Sequence, residues 1–69
     1  MQVMRESFYR CVFSSPRSRR VAHVRAWDAE EAVQLFRTEL RTDGVDEKGT
    51  IEVFAFGDAD GGERAAYSP

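Results

Sequence analysis

At 69 residues the chain makes one small domain, 1–69, and a domain of this size buries only about 60% of the surface its unfolded form exposes. Its 42% hydrophobic and 32% charged residues belong to a globular rather than a disordered chain, and its apolar runs, only a few residues long, fall far below a membrane-spanning helix. The net charge of −2 argues against a general polyanion binder, and one cysteine with one histidine excludes an internal disulfide and the usual structural zinc sets.

Residues 1–6, Met-Gln-Val-Met-Arg-Glu, lack the apolar stretch of a signal peptide. A cytosolic setting is expected, in the producing cell or a host cell, with Cys11 reduced. Residues 6–13 are rich in aromatic and β-favouring types and predict a strand. Pro16 sets the first corner of a turn, and the alternation over residues 20–27 predicts a second strand, completing a hairpin. Asp28 is a good N-cap with Glu31 three residues on, close to a capping box. Ala29, Ala32, Val33, Phe36 and Leu40 form one apolar stripe, predicting a helix over 29–41 that Gly44 stops. A polar loop leads to a third strand over 50–56. Turn-forming residues 57–62 follow, and 63–67 reads as an edge strand or a frayed end. The fold class is α+β: a small antiparallel sheet with one helix on one face, in the order β-β-α-β with room for a last β.

A four-residue loop pairs Ser14 with Arg19. That places Tyr9, Cys11 and Phe13 with Ala22, Val24 and Ala26 on a side free of charge, where the helix can sit; Ile51, Val53 and Ala55 join them. The opposite face then carries Phe8, Arg10, Val12, Val21, His23, Arg25, Glu52, Phe54 and Phe56, with Trp27 at its edge. A register slip of one would turn Arg10 toward the helix at a high cost in desolvation. One helix covers one face, so at least three large rings are expected on the open one. Exposed apolar surface of this kind marks a binding site. Folding of Ala65, Ala66 and Tyr67 over that face is the bland alternative.

Phe8, Phe54 and Phe56 beside Arg10, Arg25 and His23 are the candidate partner-binding residues. Aromatics and Arg dominate protein interfaces, and the same pairing can stack bases and hold phosphates in single-stranded nucleic acid. Arg17, Arg19 and Arg20 form a cationic hairpin tip able to clasp phosphate or an acidic protein patch, although an Arg-rich turn is more often simply a solvated hairpin end. Charge is uneven along the chain: residues 1–25 hold six arginines against one acid, and residues 26–69 hold four basic residues against eleven acids. The scattered acids, which could imitate a phosphate backbone, are read as ordinary solubility. Cys11 and His23 fall on opposite faces, so a nucleophile–base pair is not expected. Residues 58–63 resemble a calcium loop only faintly, since their flanks read as strands. No catalytic residue, metal or cofactor is expected.

The hairpin 6–27, the helix opened by Trp27-Asp28-Ala29-Glu30-Glu31-Ala32 and the strand Gly49-Thr50-Ile51-Glu52-Val53 together resemble small phage and mobile-element inhibitors, several type I anti-CRISPR proteins among them. The resemblance covers most of the chain as architecture. No motif defines that group, so no functional residue carries over. It implies a non-enzymatic protein that docks on a protein or ribonucleoprotein complex and blocks DNA access. Single-stranded nucleic-acid binding and a face-to-face homodimer are the alternatives, and no membrane partner is expected.

Overall fold

The computed structural model describes residues 6–55 and 62–69. Its elements run β1 (Ser7–Ser14), β2 (Arg19–Ala26), α1 (Ala29–Thr42), β3 (Gly49–Ala55) and β4 (Glu63–Tyr67). All strand pairings are antiparallel, in the sheet order β2-β1-β3-β4. The class is the α+β arrangement that the residue pattern predicts. Phe56 and the turn residues 57–61 lie outside the described residues, and with them most of the faint calcium-loop resemblance.

Ser14 pairs with Arg19 and Cys11 with Ala22, which is the register the charge argument requires. Cys11, Phe13, Ala26, Ile51 and Val53 therefore meet Ala32, Val33, Phe36 and Leu40 of α1 in one buried core. The helix starts where Asp28 accepts a hydrogen bond from the Glu31 amide at 2.8 Å. Glu31 in turn accepts from the Trp27 amide at 3.0 Å. That bond ends the second strand at Ala26, one residue before the predicted boundary, and leaves Trp27 exposed between the elements. At the other end, Val45 N–H donates to the Leu40 carbonyl and Gly44 N–H to that of Arg41, a Schellman closure. Gly44 has φ 80°, a left-handed conformation that glycine adopts without steric cost.

The C-terminal segment neither frays nor folds over the open face. It extends the sheet as β4, with Thr50 opposite Ala66 and Gly49 opposite Tyr67. Tyr67 thereby enters the core from the helix side, its ring edge-on to Phe13 with centroids 5.3 Å apart. Its hydroxyl donates to the Val45 carbonyl at 2.7 Å, fastening β4 to the loop after α1.

Candidate partner-binding face

On the side away from α1, cross-strand pairing fixes the layout in rows. Arg25 of β2 lies beside Phe8 of β1; His23, Arg10 and Phe54 form the next row; Val21, Val12, Glu52 and Arg64 the next; and Arg19, Ser14, Thr50 and Ala66 the last. Phe8, Arg10, His23, Arg25 and Phe54 thus share one face, as expected, while Phe56 lies outside the described residues. The described rings there are Phe8 and Phe54.

Exposure is unequal. Phe8 and Val21 are each 48% exposed, but Val12 is only 6% exposed. Val12 lies on an inner strand with Val21 on one side and Glu52 on the other, so its neighbours cover it although the helix does not. Phe54 is half-buried, and its ring lies against Gly62: a Cβ at Gly62 would come within 2.7 Å of the ring. A ring over a strand-end glycine protects the backbone there.

Each ring carries a guanidinium. Arg10 lies 4.7 Å from the Phe54 centroid and Arg25 lies 4.9 Å from that of Phe8, both within cation–π range. Such stacking leaves the N–H fork of each arginine free to bind a carboxylate or phosphate. Glu52 pairs with Arg64 at 3.2 Å. Among the described strand residues the face holds Arg10, Arg19, Arg25 and Arg64 against Glu52, whereas residues 28–48, the helix and its flanking loops, hold seven acids against three basic residues. The uneven charge along the chain becomes a positive sheet face backed by a negative helix layer.

The cationic tip is not one cluster. Arg19 belongs to the open face, whereas alternation sends Arg20 to the helix side, where it pairs with Asp43 at 3.2 Å. Arg17 stays in the exposed turn. That turn is tied down through its serines: Ser15 and Ser18 both donate to Glu47, at 2.6 and 2.7 Å. Those two bonds, with a smaller pull from Arg17, hold the Glu47 carboxyl below its ordinary pKa. Spacing of the chain gives no sign of this tie, because Glu47 is about thirty residues away.

Cys11 and His23 stand on opposite faces, as the register predicts. Burial, helped by the charge of Glu39, pushes the Cys11 thiol up to about 11. It is protonated at neutral pH and a poor nucleophile. Among the described residues no three His, Cys, Asp or Glu side chains stand together as a metal site. No described helix is long and apolar enough to cross a membrane. Comparison with protein-family models, with curated proteins and with solved structures finds no match to this chain.

Proposed function

We propose that this chain is a non-enzymatic binding module that docks the open face of its sheet on an anionic region of a protein or ribonucleoprotein complex. The observation that carries the reading is the pair of arginine–phenylalanine stacks, Arg25 on Phe8 and Arg10 on Phe54, on a positive face that no described element covers. Arg and aromatic side chains together are the composition of interface hot spots. An inhibitor of a surveillance complex, of the anti-CRISPR kind, is the instance that the architecture resembles. Single-stranded nucleic acid ranks second. Phe54 is already engaged by Arg10 on one side and Gly62 on the other, which leaves little ring surface for a base.

The test is affinity capture from a host-cell lysate, with and without nuclease, comparing the natural chain with Phe8→Ala/Arg25→Ala. Loss of one specific macromolecule in the variant, at an unchanged far-UV spectrum, supports the reading. Equal capture by both chains overturns it. Capture abolished by nuclease moves the assignment to nucleic acid.

A further inference from the structure

The sheet has two edges, and the fold treats them differently. β4 is five residues long, and α1 reaches over to it. Arg37 donates to the Ala66 carbonyl at 3.0 Å and Arg41 to that of Ser68 at 3.2 Å. β2, eight residues long, has no such cover: among the described residues the backbone of Arg19–Ala26 hydrogen-bonds only across to β1. Every second residue of an antiparallel edge strand points its N–H and C=O outward. An unblocked edge of this length is a template for one more strand.

Two further observations say what kind of strand fits. A groove of about 230 Å³ runs between this edge and the C-terminal half of α1, with Ala22, Phe36 and Leu40 in its lining and Arg20, Glu39 and Asp43 around them. The Arg20–Asp43 ion pair joins its two walls. On the opposite side of the same strand, Arg19 and Arg25 project from the open face at its two ends. β2 carries three arginines and no acid. Pairing it with β2 of a second copy would set like charges together, which disfavours a dimer through this edge.

We propose that the β2 edge is a strand-addition site for an extended acidic segment of a partner protein. Backbone hydrogen bonds would supply affinity, and alternate side chains specificity. Acidic side chains lie beside Arg19 and Arg25 on the open face. The intervening aliphatic side chains turn to the helix side, where one enters the groove over Ala22, Phe36 and Leu40. This site goes beyond the aromatic face: it recognises a partner's backbone, shares only Arg25 and its stack on Phe8 with that face, and leaves Phe54 out.

The experiment is an amide-resolved NMR titration of the intact chain with a blocked peptide that alternates glutamate and valine and matches β2 in length. Its lysine–valine counterpart and an oligothymidylate are the controls. The expected result is shifts concentrated along Arg19–Ala26 and the Phe36–Leu40 turn, with slowed amide exchange in β2. Arg19→Glu/Arg25→Glu should weaken binding about tenfold or more. Ala22→Leu, which fills the groove, should do the same, and Phe54→Ala, whose ring is stacked by Arg10 and not by Arg25, should leave it unchanged. Absence of binding, equal binding of the lysine peptide, or shifts centred on Phe8 and Phe54 would each overturn the proposal. So would oligothymidylate competing for β2, or a dimer by light scattering whose formation protects the β2 amides from exchange. Because Phe54→Ala separates the two surfaces, failure at the edge leaves the aromatic-face reading to its own test.

Discussion

Tyr67 and Phe13 show how much of this small core rests on single side chains. Phe13 is fully buried between the sheet and α1 and packs edge-on against Tyr67. Phe13→Ala should cost about 3–5 kcal/mol, which removes most of the stability of a domain that has roughly 5 kcal/mol. Tyr67→Phe keeps the ring and loses only the bond to the Val45 carbonyl, so about 1 kcal/mol is expected in urea unfolding. Cys11 was legible from its type and register as a core residue. Its raised pKa predicts resistance to iodoacetamide at neutral pH until the chain unfolds. Since folding favours the neutral thiol, its contribution is intact below the ordinary thiol pKa and is lost as pH rises toward about 11. Tyr67 was not legible: one ring in a five-residue alternation fits either face until the partner strand is known.

Helix α1 was the most legible element, because its cap, its apolar stripe and its glycine stop all lie in the local sequence. Asp28→Ala should lower stability by about 1 kcal/mol, seen as a lower thermal midpoint with the spectrum otherwise preserved. The hairpin was nearly as legible, since charge allowed only one register to place Tyr9, Cys11 and Phe13 inward. Long-range ties were not. Ser15 and Ser18 bind Glu47 of the loop after α1, a contact decided by how the helix lies across the sheet. Because the folded carboxyl sits below its ordinary pKa, this tie contributes above the usual carboxylate range and is lost as pH falls through the lowered value. Glu47→Gln should therefore flatten the acid side of the profile of thermal midpoint against pH.

At the scale of the molecule, the separation of charge matters more than the net value of −2. On the proposed reading, a positive sheet face opposite an acidic helix layer would orient an approaching anionic partner, and its capture should weaken as salt rises. Light scattering over a concentration series should show a monomer, since the open face carries like charges that oppose self-association. The residue pattern is enough for the α+β class, the helix and its ends, the hairpin register, and which side of β1 and β2 is free of charge. Those features follow from local capping, from periodicity and from the cost of burying Arg10. The folded arrangement is needed to see that β4 closes one edge, that Arg20 leaves the cationic tip for Asp43, and that Val12 is covered while Phe8 is not. It alone decided that β2 is an edge above a groove. Each of these depends on strand order and on the path of α1 across the sheet, and residues distant along the chain set both.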